Sequence, residues 1–252
     1  MEQQELLIKS TLDGTMQPSL FYFAGENRPL LVGLHTWSYD RFNQIENMLP
    51  FAEEYGWNLL LPEFRGPNTP ANPNCKEACG SPLAVRDIFD AIDYVEKNFS
   101  TDKDNVFVLG LSGGGHMALL ATAKAPTRFR AVGAFVPITD LAAWHSYSGY
   151  RTHIEACLGA SPSEAPEVYL ERSPINYADE LSSANLKIFH GRFDKVVPFT
   201  HSTTLFNLIS EHRPESRVFL DVFDGGHEID LNLAFYWLKG QYENKNKTEV
   251  TG

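Results

Sequence analysis

The chain has 252 residues, 43% of them hydrophobic and 12% aromatic, enough apolar material for one substantial core, which excludes a disordered chain and a small disulfide scaffold. Lys and Arg number 21 against 32 Asp and Glu, a net charge of −11 that repels phosphate backbones and anionic lipid surfaces, so neither nucleic acid nor a membrane is an expected partner. No apolar run approaches the roughly 18 residues of a membrane span, and the polar, acidic opening MEQQELLIKS lacks the basic-then-apolar order of a signal peptide.

Short β-branched and aromatic runs alternate with helix-period segments, the pattern of an α/β fold with a mostly parallel sheet of about eight strands and helices on both faces. Leu6 to Leu12 and Ser19 to Ala24 read as an antiparallel pair turning at Asp13-Gly14. Continuous apolar strands follow at Pro29 to His35 and Trp57 to Pro62. Between them Phe42, Ile45, Leu49 and Ala52 recur at helical spacing, with Gly56 as the closing residue. The loop Glu63 to Pro82 is rich in Pro, Asn and Gly, and a loop of that length is expected to border a site.

Ser81 has the position of an N-cap and Pro82 that of the first helical residue. Val85, Ile88, Phe89, Ile92, Val95 and Phe99 then line one helix face, while Asp87, Asp90, Asp93 and Glu96 read as a solvated face. Further strands are expected at Val106 to Leu109, Ala131 to Val136, Leu186 to His190 and Arg217 to Phe223. The stretch 138–185 is too long for a simple crossover and reads as a small cap insertion. Helices near Phe199 to Ser210 and Ile229 to Gln241 complete one expected domain, 1–242, before a polar tail, 243–252.

Chemistry concentrates where the strand Val106 to Leu109 runs through Gly110-Leu111-Ser112-Gly113-Gly114 into an apolar helix. A chain this long shows G-x-S-x-G by chance about 8% of the time, so the strand-to-helix context decides. A tight turn there exposes a serine, and a serine needs a base and a group that orients the base. His227 lies in a glycine loop between the last strand and the last helix. Asp194 follows the strand Leu186 to His190, at the end of a strand where open α/β sheets place their sites. Asp224 and Asp230 compete for the acid's role, but both flank His227 closely and read as turn or cap residues.

The order Ser112, Asp194, His227 is that of α/β-hydrolases. With the segments DGTMQPSLFYF, PEFRGPN, LGLSGGGHMAL, HGRFDKVVP and GGHEID, nearly the whole chain resembles an α/β-hydrolase of the dienelactone-hydrolase and prolyl-oligopeptidase catalytic-domain type. The resemblance implies an α/β-hydrolase fold with Ser112 as nucleophile, His227 as base and Asp194 as orienting acid. It implies an oxyanion hole from the Gly113 N–H and a second donor in Leu34-His35-Thr36-Trp37, by register the Trp37 N–H with Thr36 second, although Thr36 and Trp37 replace the family's usual glycines.

Trp37 is also a candidate wall of the acyl pocket, and Thr36, Trp144 and Tyr147 are candidate substrate contacts. His35 and His190 end buried strands and read as hydrogen-bonded structural residues, and His116 as packing beneath the turn. Cys75, Cys79 and Cys157 are an odd set read as free thiols of a cytoplasmic protein, with a local disulfide between the first two as the alternative. No zinc ligand spacing is present, and no metal or cofactor is expected.

The function expected is hydrolysis of small carboxylic esters, such as acetyl or cinnamoyl sugar esters, through an acyl-enzyme. Relatives that cleave peptides carry an N-terminal propeller, which this sequence lacks, so a peptidase acting on short peptides is the second reading. A hydrolase-fold protein that binds a small molecule without turnover is the third. The oligomeric state is left open.

Overall fold

The structure is a computed structural model that describes the backbone of residues 1–147, 149–228 and 230–249, with side chains described as far as Glu243. Strands β1 (Glu2–Lys9) and β2 (Met16–Phe23) form an antiparallel hairpin in which Lys9 pairs with Met16. The first strand therefore ends before Leu12: the turn from Ser10 to Thr15 is closed by the Ser10 and Gly14 N–H groups, which bond Thr15 O and Ser10 O. Strand β3 (Leu30–Leu34) is followed by helix α1 (Ile45–Tyr55), three residues later than the apolar period at Phe42 begins. Gly56 closes α1 in the left-handed conformation at φ 64°, as its position predicts.

Strand β4 (Asn58–Pro62) leads through the long loop and a 3-10 turn at Cys75–Glu77 into α2 (Pro82–Asn98). The Ser81 hydroxyl accepts from the Ala84 N–H at 3.1 Å, the expected cap. Then follow β5 (Val106–Leu111), α3 (Gly113–Lys124) and β6 (Ala131–Phe135). The insertion holds α4 (Leu141–Tyr147), α5 (Arg151–Leu158), α6 (Pro166–Glu171) and α7 (Ala178–Leu181). The chain ends with β7 (Leu186–Gly191), α8 (Thr200–His212), β8 (Val218–Phe223) and α9 (Leu231–Glu249). Where a polar tail was expected from residue 243, helical backbone continues to Glu249, because ENKNKTE contains no Gly or Pro to stop it; residues 250–252 lie outside the described residues.

The eight strands run in the order β1-β2-β4-β3-β5-β6-β7-β8, antiparallel across the first two pairings and parallel from β4 to β8. Alternation along the strands sends side chains to two separate cores. Val32, Val108, Val132 and Ile188 pack beneath α2, α3 and α8, whereas Leu31, Phe107, Phe135 and Phe189 pack against α1 and α9. Helices thus cover both faces, and a third apolar cluster joins the insertion to the long loop through Trp37, Trp144, Cys79 and Cys157.

The acidic face of α2 is not uniformly solvated. Asp93 is exposed, but Asp87 and Asp90 are buried. Asp87 holds Arg65 at 2.5 Å, and Asp90 receives the N–H and hydroxyl of Thr11 together with Arg86. The apolar periodicity of α2 does not foretell this, because Arg65 and Thr11 reach the helix from segments distant in sequence.

Candidate active site

Ser112 stands between β5 and α3 at φ 54° and ψ −112°, a conformation that non-glycine residues rarely adopt and that turns the strand sharply into the helix. Two close approaches explain the glycines around it. A Cβ on Gly110 would collide with Gly114 O, and one on Gly113 would lie 2.6 Å from Trp37 N.

The three residues expected to act together are brought together. His227 Nε2 is 3.1 Å from Ser112 Oγ, and His227 Nδ1 is 2.6 Å from Asp194 Oδ2. The other carboxylate oxygen of Asp194 accepts from the N–H groups of Val196 and Val197 at 2.7 and 2.9 Å. Burial pushes the Asp194 carboxyl up, but its bonds from His190, His227 and the Val197 N–H outweigh burial and hold it well below the usual carboxylate range. Asp194 is therefore a fixed anion, and it keeps the Nδ1 proton on His227 so that Nε2 faces Ser112 as an acceptor. The competing acids lie elsewhere: Asp224 pairs with Arg192 at 2.9 Å, and Asp230 bonds the Asn232 N–H at the start of α9.

Gly113 is the first residue of α3, where N–H groups have no acceptor within the helix. Its backbone lies against Trp37 N. The Thr36 N–H donates to Asn43 Oδ1 at 3.0 Å, whereas the Trp37 carbonyl accepts from the Asn68 N–H at 2.8 Å, fixing the peptide that follows Trp37. The Gly113 and Trp37 backbones thus approach each other closely next to Ser112.

A cleft of about 230 Å³ opens there, lined by Thr36, Trp37, Tyr39, Trp144, Tyr150 and Val196 beside Ser112 and His227. Trp37 meets Trp144 edge-on at 4.8 Å, and Trp144 stacks on Tyr150 at 5.1 Å. Tyr147 is not among the residues lining this cleft: its hydroxyl donates to Lys195 O at 3.3 Å, and the ring is exposed. Tyr150 takes that place, because it starts the next helix rather than ending α4. The sequence carries two aromatic residues three apart and no signal that distinguishes them.

His35 bonds Thr36 O and Glu63 O, and His116 bonds Arg172 O, the structural uses expected of both. The three cysteines are free and buried. Among the described residues no group of three His, Cys, Asp or Glu side chains is arranged to hold a metal ion.

The family model for the prolyl oligopeptidase family matches residues 83–243, more than half of the sequence and the part that holds all three residues. The chain belongs to the prolyl oligopeptidase family. Acylamino-acid-releasing enzyme 2 of Oryza sativa subsp. japonica is 26% identical over 244 residues, 90% of this chain and 29% of that protein. Pyrococcus horikoshii acylaminoacyl peptidase superposes with a TM-score of 0.72 at 18% identity, over 90% of this chain and 37% of that one. An esterase of Pyrococcus furiosus superposes with a TM-score of 0.67 at 15% identity, over 94% of this chain and 88% of that one. At these identities the two superpositions show the α/β-hydrolase fold alone. The chain thus spans about a third of the length of the first two of these relatives, and within the prolyl oligopeptidase family it corresponds to the catalytic domain.

Proposed function

We propose that the protein is a serine hydrolase of small carboxylic esters, working through an acyl-enzyme on Ser112. The observation that carries this reading is the continuous arrangement Ser112 Oγ, His227 and Asp194, with bonds of 3.1 and 2.6 Å. As Ser112 Oγ attacks the ester carbonyl, its proton passes to His227 Nε2, and the imidazolium is stabilised by Asp194. The developing oxyanion is received by the N–H groups of Gly113 and Trp37, the alkoxide leaves with the proton from His227, and water then deacylates the serine with His227 as base.

The cleft favours a short acyl or aryl group. Its 230 Å³ falls below the usual range for drug-sized ligands, and Trp37, Trp144 and Tyr150 offer flat apolar walls. An ester also asks less of the site than an amide, whose amine must be protonated as it leaves and is placed by extended binding. The second reading, a peptidase for short or acylated peptides, is favoured by the likeness to the rice acylamino-acid-releasing enzyme over 90% of the chain.

Paired kinetics separate the two. For short p-nitrophenyl or feruloyl esters kcat/KM is expected to exceed that for matched aminoacyl-naphthylamides by at least about 10², roughly 2.7 kcal/mol of barrier. A proline-, alanine- or acylaminoacyl-naphthylamide that proves the better substrate replaces the esterase reading with the peptidase one. A protein that binds without turnover would fail to react stoichiometrically with a fluorophosphonate at Ser112.

A further inference from the structure

Two histidines face Asp194, and hydrolysis as described above uses only one. His190, the fifth residue of β7, is fully buried. Its Nε2 is 3.0 Å from Val197 O and 3.4 Å from Asp194 Oδ2, and its Nδ1 is 2.6 Å from the hydroxyl of Ser202, itself fully buried on α8. A carbonyl oxygen only accepts, so Nε2 carries a proton that it donates to Val197 O, while Nδ1 and the Ser202 hydroxyl bond each other. The same ring nitrogen lies 3.4 Å from the carboxylate oxygen that His227 bonds at 2.6 Å. Asp194 Oδ2 lies between the two histidines of the row Ser202, His190, Asp194, His227, Ser112.

We infer that His190, oriented by Ser202, is a positioning residue that shares Asp194 Oδ2 with His227 and thereby sets the proton affinity of the base. The inference rests on the serine-hydrolase reading. An N–H dipole whose nitrogen lies 3.4 Å from Oδ2 offsets part of the charge on that oxygen, so the carboxylate stabilises protonated His227 less than it would alone. The groups facing His190 are Asp194 and, beyond it, His227, then His201 and Ser202 on α8, and the Val197 carbonyl and Phe199 ring before that helix. Only Asp194, His201 and His227 among them titrate. With the His190 N–H removed, His227 holds its proton to higher pH.

The rate of Ser112 labelling by a fluorophosphonate, followed against pH in the full chain, reads this directly. Labelling of the wild type with an acid limb tests the hydrolase reading: an unlabelled chain overturns that reading and the inference with it. In His190→Phe, which fills the space without a donor, the limb is expected to move up by about half a unit to one unit. His190→Gln, whose amide N–H replaces the donor, is expected to stay near the wild type. A limb that stays in place in His190→Phe while only the plateau falls, or that moves equally in both variants, overturns the inference and leaves the hydrolase reading standing. Should His190→Phe fail to fold by circular dichroism, Ser202→Ala decides, with a smaller upward shift expected and an unmoved limb overturning the inference.

Discussion

Ser112 keeps its strained backbone because the surroundings leave it no other choice: its N–H bonds Phe135 O at 2.8 Å, its carbonyl accepts the first helical bond from His116 at 3.0 Å, and no side chain fits at Gly110. The strain presents Oγ to His227, so the two residues act as one unit in the proposed reaction. Ser112→Ala is expected to cost on the order of 10⁶ in kcat with the circular dichroism unchanged. His227→Ala should cost about as much, and the double variant little more than either; strictly additive losses would show that they do not cooperate. Asp194→Asn, which puts a donor where an acceptor is needed and mis-sets the tautomer of His227, is expected to lower kcat by about 10⁴. If Asp224→Asn or Asp230→Asn is the inactive variant instead, Asp194 is not the acid.

At the scale of elements, the long loop before α2 is held by one buried cation. Arg65 bonds Asp87 at 2.5 Å, Asp13 at 2.8 Å and Glu77 at 2.7 Å, tying the loop to α2 and to the β1–β2 turn. The same loop supplies the Asn68 N–H that fixes Trp37 O, so the network lies two contacts away from the proposed oxyanion hole. Removing one partner of a buried pair leaves a charge that water cannot reach. Asp87→Ala is expected to cost about 3 kcal/mol by urea unfolding, the lower end for such a loss because Asp13 and Glu77 remain. Arg192→Ala, which breaks an exposed pair with Asp224, should cost less than about 1 kcal/mol. Equal losses in the two variants would mean that burial does not set the difference.

For the molecule as a whole, two neutral histidines join the insertion to the rest. His116 on α3 bonds Arg172 O at 2.7 Å, and His201 Nδ1 on α8 accepts the Thr139 N–H at 3.2 Å. Burial lowers both to about 4, against the ordinary 6.5. Between those values the unfolded chain binds protons that the folded chain refuses, so stability is full above about pH 6.5 and declines as pH falls towards 4. Burial lowers His35 in the same direction. Each of His116 and His201 is expected to remove about 2 kcal/mol at pH 5 relative to neutral pH. Urea midpoints at pH 7.5 and pH 5 measure this, and His116→Gln, which keeps a donor but does not titrate, should show a smaller difference. A wild-type midpoint equal at the two pH values would contradict it.

The features carried by local pattern were readable from the amino-acid order. Alternation of apolar runs marked the parallel strands, Ser81-Pro82 and Gly56 marked helix ends, and a strand running into Gly110-Leu111-Ser112-Gly113-Gly114 marked the turn that displays Ser112. Chain order and resemblance pointed to Asp194 and His227, but only the folded sheet, by aligning the ends of β5, β7 and β8, brings residues 115 and 33 positions apart within 3.1 and 2.6 Å. The burial of Asp87 and Asp90, and the place of Tyr150 rather than Tyr147 in the cleft, were decided by tertiary structure alone. Periodicity reports which face of an element is apolar, whereas these features depend on which distant side chain arrives opposite a polar one, and no local pattern records that.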